Sequence, residues 1–357
     1  MIQIHYLHKI IIFFKKWHLS ILILPIFVAA FAYSHDVPDI QWKTEKTTLV
    51  SILEKEISLK PNTRYRGSVA TFTGYNDVPS VTWLDQHTYD YHLMKSVGNA
   101  HRLVGLWKYN IPTLIEYSSL ISPFSYLMAS RLLMRPSDKQ LRSITVYSKL
   151  NLNYLKSLGV RFLITDFSLI GKISLKTQKI FLRRTLTSKN VNLYLYELKN
   201  ANLGHYSPTV ERLANNINDI FKYMAQIDRN EFDFENEFVI DKTISHELVK
   251  ASSSQLFVNQ EGMTVKAQSK GTSIILLPLQ FSRCLQLQSN SKSPLPTLTP
   301  RIMRVNIMQT GLLFTGIIEA KLQYKYGPFH NSFCRIKDYQ DMKKLDISRV
   351  TLLEHHK

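Results

Sequence analysis

The stretch NLNYLKSLGVRFLIT, Asn151 to Thr165, decides how the middle of this chain folds. Asn151 to Leu158 has the spacing of a short helix. Gly159 stands just past its C-cap, where glycine reaches the left-handed conformation without a Cβ penalty. VRFLIT, Val160 to Thr165, follows at once as an apolar run, which fits a strand covered on both faces. Helix, glycine and apolar strand in succession predict a mixed α/β layer. Downstream, VNLYLY (Val191 to Tyr196) reads as a second strand. Val191, Leu193 and Leu195 share one face, and Tyr194 and Tyr196 share the other. Upstream, Thr47 to Leu59 reads as a helix with Leu49, Ile52, Leu53 and Ile57 on one stripe, and Pro61-Asn62 breaks it. Arg64 to Phe72, RYRGSVATF, reads as a strand in which Gly67 marks a bulge or a close approach. Pro123 to Leu133 is helical by pattern, through Phe124, Leu127, Met128 and Leu132.

Beyond this layer, Thr209 to Ile227 carries the longest helical stripe: Val210, Leu213, Ile217, Ile220, Phe221, Met224 and Ile227. Ser207 stands ready to cap it, with Pro208 at the first helical position. From Phe238 the period changes to two. Met263-Val265-Ala267, Ile274 to Leu279, Leu285-Leu287, Ile302 to Met308, Leu312 to Ile318 and Ala320 to Tyr324 read as short strands. Many short strands with turns between them predict an antiparallel β-sandwich. No internal repeat is visible.

At the other end, WHLSILILPIFVAAFAY (Trp17 to Tyr33) has no charged side chain and follows Lys9, Lys15 and Lys16. Positive flanks stay cytoplasmic, so residues 34–357 are expected outside the membrane. Two readings stay open: a retained anchor with Trp17 and Tyr33 as interfacial residues, or a signal peptide cut after Ala30-Phe31-Ala32.

The chain has 357 residues, 45% of them hydrophobic and 20% charged, which is globular rather than disordered. Its net charge of +18 is uneven. Residues 131–190 hold 13 Lys or Arg against Asp138 and Asp166, while residues 228–247 hold seven acids against Arg229 and Lys242. Outside a membrane such a basic stretch faces anionic lipid headgroups or a lipid-linked phosphate rather than nucleic acid. The competing reading is a solvated face. Cys284 and Cys334 are an even pair, and in an exported chain they are expected to form a disulfide, both in strand-like segments (Arg283–Gln288 and Ser332–Ile336). Two buried thiols are the alternative.

Motifs for chemistry are sparse. His246-Glu247 lacks the second histidine of a zinc-protease pattern, and there is no phosphate-binding glycine loop or nucleophile elbow. No cofactor is implied. Asp85, His87, Asp90 and His92 alternate in a way that splits them between two strand faces, so a metal site is not expected. His101 to Tyr117, HRLVGLWKYNIPTLIEY, offers Arg102, Trp107, Tyr109, Asn110, Glu116 and Tyr117. Aromatic rings beside a carboxylate and an amide suit a sugar, with rings on its C–H face and polar groups on its hydroxyls; an aromatic plug at a domain edge uses the same residues.

The order of these segments resembles the C-terminal extracytoplasmic part of YfhO-like membrane proteins, within the GT-C class of multi-pass glycosyltransferases. The resemblance covers residues 45–330. It rests on IEYSSLISPFSY (Ile115 to Tyr126), NYLKSLGVRFLIT (Asn153 to Thr165), YLYELKNAN (Tyr194 to Asn202), and the helical stripe at 209–227 followed by Phe232-Asp233. It implies recognition of an acceptor glycan or lipid-linked sugar beside a multi-pass membrane partner. That family's catalytic acid lies in an external loop between membrane helices that this chain lacks, so no catalytic residue carries over. The family's Gly-Trp pair in the terminal domain has no match, and Phe281-Ser282-Arg283-Cys284 stands near its place. The alternative is a non-enzymatic envelope module that binds glycan or anionic headgroups.

The expected fold is therefore α+β: an N-terminal membrane-anchor helix, a mixed α/β domain, then a C-terminal antiparallel β-sandwich. The expected segments are 1–33 as anchor or signal, 34–205 as the mixed domain, 206–340 as linking helix plus sandwich, and 341–357 as a tail.

Overall fold

The computed structural model describes residues 46–72, 106–114, 132–133, 139–141, 144–146, 150–166, 168–169, 180–188, 191–224, 232–292, 299–325 and 333–344. In chain order the elements are α1 (Thr48–Ile57), β1 (Thr63–Arg64), β2 (Ser68–Phe72), β3 (Lys139–Leu141), β4 (Ile144–Val146), α2 (Leu152–Ser157), β5 (Val160–Thr165), β6 (Ile180–Ser188), β7 (Val191–Leu198) and β8 (Val210–Leu213). There follow α3 (Ile217–Met224), β9 (Glu237–Ile240), β10 (Ser253–Val258), β11 (Met263–Gln280), β12 (Leu285–Lys292), β13 (Arg301–Val305), β14 (Gln309–Tyr324) and α4 (Phe333–Lys344).

The mixed layer expected around Gly159 is present. The Asn151 side chain caps α2 by accepting from the Tyr154 N–H at 3.0 Å, and Gly159 takes φ +81°. β5 follows directly and joins a four-stranded sheet in the order β2-β5-β7-β6, with β2 and β5 parallel and the other pairs antiparallel. Helices cover both faces. On one face α1 buries Leu49, Leu53 and Ile57 against Phe162, Ile164, Leu193 and Leu195. On the other, Ala70, Leu163 and Tyr196 share a core with Leu155 of α2 and Ile217 and Ile220 of α3. Thr47 caps α1, its hydroxyl accepting from the Val50 N–H.

The α+β class is corrected. Among the described residues the chain is mostly β, with fourteen strands against four helices. Two differences from the expected elements account for this. Thr209 to Ile227 is not one helix. Its first part is β8, paired in parallel with β9 from Val210↔Glu237 to Leu213↔Ile240, and only Ile217–Met224 is helical. Val210 and Leu213 are exposed, so they were never part of a core-facing stripe. The partner strand lies far along the chain, and its ladder overrides the local helical spacing. Asn216 then starts α3 by accepting from the Asp219 N–H, while the Asp219 carboxylate accepts from the Asn215 N–H, each at 3.0 Å. Ser207 does not cap this helix; its hydroxyl accepts from the Ala251 N–H at 2.9 Å.

The second difference is strand length. The short strands expected at 263–267 and 274–279 are one strand of 18 residues, β11, and those at 312–318 and 320–324 belong to one of 16, β14. They pair antiparallel along their length and form the spine of a six-stranded sheet, β1-β10-β11-β14-β12, with β13 also on β14. The apparent break is a bulge. Gln268 pairs with Ile317 and Thr272 with Thr315, so residues 269–271 oppose Gly316 alone, at φ +75°. Three residues against one add two, so the inward positions keep their parity; the alternation fades because Ile274 and Leu276 beyond the bulge are buried on the other face as well. Residues from both sides of the bulge, Val265 and Ala320 with Ile275 and Phe314, line one hydrophobic cluster.

Residues on both sides of the expected 205/206 boundary share a core, Leu155 and Tyr196 with Phe238, Leu276 and Leu313. The anchor segment Trp17–Tyr33 lies outside the described residues, as does Pro123 to Leu133 apart from the buried Leu132 and Leu133. Among the described residues no helix is long and apolar enough to cross a membrane. Cys284 and Cys334 are bonded, with Cα atoms 5.0 Å apart. Cys334 sits in the first turn of α4 rather than in a strand.

Candidate functional site

Three cations and two carboxylates meet at the rim of the four-stranded sheet. Glu56 comes from α1, Arg161 from β5, Arg183 from β6, Glu197 from β7, and Lys199 from the turn after β7. Two local irregularities aim them together. Gly67 has φ +102°, and a Cβ there would lie 2.6 Å from the Arg161 Cβ, so this glycine makes the close approach expected of it. In β6 the register to β7 shifts between Leu182 and Arg184, which leaves Arg183 as the extra residue. Bulges of this kind re-aim a side chain without ending the strand.

Glu197 is the centre. Its side chain is 3% exposed, and Arg161 donates to its Oε1 from Nε and Nη2, both at 3.1 Å. Lys199 Nζ lies 3.2 Å from the same oxygen, and Arg183 Nη1 lies 3.3 Å from Oε2. Arg161 Nη2 also reaches Glu56 Oε2 at 3.1 Å. Burial alone would raise the Glu197 pKa, but the hydrogen bonds and charges of Arg161 and Lys199 outweigh it and hold the carboxyl below its usual range. Glu197 is therefore ionised near neutral pH and has no proton to give. Two negative charges stand against three positive ones, and the half-exposed Arg183 and Lys199 turn the surplus outward. Beside them Phe181 is half exposed, with Lys199 Nζ 5.7 Å from its ring centre. An apolar ring next to solvent-facing cations suits a ligand with a C–H face and an anionic group.

The aromatic loop is only partly in view. Arg102, Glu116 and Tyr117 lie outside the described residues. Trp107 and Tyr109 fall in a 3₁₀ turn, Leu106–Tyr109. Tyr109 packs against the α1 core, with Lys46 Nζ 6.0 Å from its ring centre. Asn110 takes φ +55°, and its carbonyl accepts from the Leu59 N–H at 2.7 Å. Tyr109 thus packs beside α1, and the Asn110 backbone ties the turn to the end of that helix. The Asp85 to His92 pattern also lies outside the described residues, and among those described no group of His, Cys, Asp or Glu is placed to hold a metal.

A second polar cluster is deep inside. Asn202 is fully buried; its Nδ2 donates to the Ser157 and Leu276 carbonyls at 2.9 and 2.8 Å, and its Oδ1 accepts from the N–H groups of Gly204, His205 and Tyr206. Gln309 Nε2 donates to the same Ser157 carbonyl at 2.7 Å, and Asn306 Nδ2 donates to Gln309 Oε1 at 3.0 Å. The last residue of α2 is thus satisfied by side chains from two distant segments. Burial, then Glu235 and Asp233, push the Tyr206 hydroxyl far up, and its proton bonds the Asn200 carbonyl at 2.6 Å.

Sequence reasoning missed Glu56, Phe181, Glu197 and Lys199. One signal was available: VNLYLYEL places a glutamate near the end of a mostly apolar strand, where a carboxylate needs partners. No protein-family model, no curated protein and no solved structure matches the chain.

Proposed function

We propose that this chain is an extracytoplasmic recognition module of a sugar-transfer system, binding the phosphate and sugar of a lipid-linked sugar or of an acceptor glycan, with catalysis supplied by a multi-pass membrane partner. The observation that carries the reading is the sheet rim, where Arg183 and Lys199 stand half in water beside the exposed ring of Phe181. The cations match a phosphate, and the ring matches the apolar face of a sugar. The Cys284–Cys334 bridge supports placement in an oxidising compartment.

The test is a binding titration of the full chain with a polyprenyl-phosphate-linked sugar, set against the same sugar without phosphate and against phosphatidylglycerol. Preference for the phosphate-linked sugar, lost in Arg183→Gln and in Phe181→Ala, is the expected result. Equal binding of sugar-free phosphatidylglycerol moves the chain to a headgroup-binding envelope module. No binding of any of the three overturns both.

A further inference from the structure

We infer that Glu56 is a displaceable counter-ion, which holds between Arg161 and Arg183 the place that a dianionic phosphate takes when ligand binds; this rests on the sheet rim being the phosphate site. The two carboxylates of the rim are not equivalent. The Glu197 side chain is 3% exposed and accepts two hydrogen bonds from Arg161, whereas the Glu56 side chain is 29% exposed. Each arginine divides itself between them. Arg161 Nη2 lies 3.1 Å from Glu197 Oε1 and 3.1 Å from Glu56 Oε2. Arg183 places Nη1 3.3 Å from Glu197 Oε2 and Nη2 3.8 Å from Glu56 Oε1. One oxygen of Glu56 therefore faces each guanidinium, as two oxygens of a phosphate do between two arginines.

The hold on Glu56 is the weaker one. It has a hydrogen bond to Arg161 at 3.1 Å and an ion contact to Arg183 at 3.8 Å, which is beyond hydrogen-bond reach. It stands in the last turn of α1, where the helix dipole disfavours a negative charge. The end of α1 does not depend on it, because Arg66 Nη1 and Nη2 donate to the Lys55 and Ser58 carbonyls, each at 2.9 Å. Glu56 can swing into water while α1 stays closed and Glu197 keeps both arginines aligned. The charge left behind selects the ligand. With Glu56 gone, Arg161, Arg183 and Lys199 face Glu197 alone, three cations against one carboxylate. A phosphate monoester or a diphosphate carries about two negative charges near neutral pH and balances that surplus, and a phosphodiester carries about half as much.

The test is a calorimetric titration of the full chain with glucose 1-phosphate, a monoester, and with methyl glucosyl phosphate, a diester, in about 0.15 M salt. Wild type should favour the monoester. Glu56→Gln should bind it about fivefold more tightly, because the competing charge is gone. Glu56→Asp, whose shorter carboxylate cannot span both arginines, should tighten it in the same direction and serves if the glutamine variant does not fold. Glu54→Gln removes the same charge from the other side of α1, where Glu54 pairs with Lys46, and should stay within about twofold of wild type. Monoester binding that is unchanged, weaker or absent in the Glu56 variants overturns the inference. Equal tightening in Glu54→Gln also overturns it, because net charge alone would then explain the gain. If polyprenyl-phosphate-linked sugar binds wild type but the Glu56 variants gain nothing, displacement is wrong and the recognition reading stands. If the variants gain monoester affinity while no lipid-linked sugar binds, the counter-ion stands and the lipid-linked reading falls.

Discussion

The two polar clusters of this molecule use opposite chemistry. The inner one, Asn202 with Asn306 and Gln309, is made of neutral amides, sealed from water, and each bond ends on backbone or on another amide. The outer one, around Glu197, is made of charges and keeps two of its cations half in solvent. Neutral amides can be buried cheaply if every donor and acceptor is matched, so they serve as internal staples. Charges resist complete burial, and a cluster that leaves some of them outside keeps the capacity to meet another anion. The inner cluster holds the fold together, and the outer one is where a ligand can compete.

The largest break should come from the inner cluster. Asn202→Ala removes two donated and three accepted hydrogen bonds at a fully buried position, and it should lower unfolding free energy by about 4 kcal/mol in denaturant titration. A loss below about 1 kcal/mol would mean that water replaces the amide and the staple reading is wrong. Next is the bridge. Cys284→Ser opens a loop with a sequence separation of 50, and the chain-entropy relation sets its cost at up to about 4 kcal/mol, read as a lower melting temperature in oxidised protein only.

In the outer cluster Glu197→Gln should cost about 2 kcal/mol, because Arg161 loses its main counter-charge. It also carries a pH signature. The folded-state pKa of Glu197 is lowered, so its contribution is fully present above the unfolded value and is lost as pH falls through the folded one. Wild-type stability should therefore drop on the acid side more steeply than that of the variant; parallel acid limbs would show that Glu197 is not the linked group. Arg183→Gln should change stability by less than about 1 kcal/mol, since Arg183 is half exposed, while weakening ligand binding. The smallest effect belongs to the exposed pair Lys266–Glu319 at 3.2 Å, where Glu319→Gln should stay within about 0.5 kcal/mol.

His205, exposed beside the inner cluster, sharpens the same contrast. Burial depresses its pKa, opposed by Glu235 and reinforced by Arg64 and Lys250, and its Nδ1 accepts from the Leu203 N–H at 3.2 Å, which requires the neutral ring. Its contribution is present above the unfolded histidine value and is lost as pH falls through the lowered folded one. His205→Asn should flatten the stability profile just below neutrality; an unchanged profile would show that Leu203 finds another acceptor.

Much of the local structure was legible in the chain. Thr47, Asn151 and Gly159 act where their types predict, because caps and left-handed turns depend on a few neighbouring residues. Gly67 was legible as a close approach, although what approaches it, Arg161, was not. Of the expected site, the structure describes Tyr109, partly packed beside α1, and Asn110, in a left-handed turn next to it. Glu197 escaped because two of its partners, Arg161 and Arg183, come from other strands, β5 and β6, and only the folded sheet brings them to it.

By itself the sequence determined the helix–glycine–strand unit at 151–165 and the alternation of β7, since each depends on residue type and spacing, and it made a bridge between its two cysteines the expected state. Only the tertiary structure decided that Val210–Leu213 is a strand, that β11 and β14 run unbroken through a bulge, and that Asn202 and Glu197 become hubs. The physical reason is the same in each case: a ladder partner or a counter-charge supplied from a distant part of the chain outweighs a local preference of a fraction of a kcal/mol per residue, roughly 0–0.7 on the helix scale.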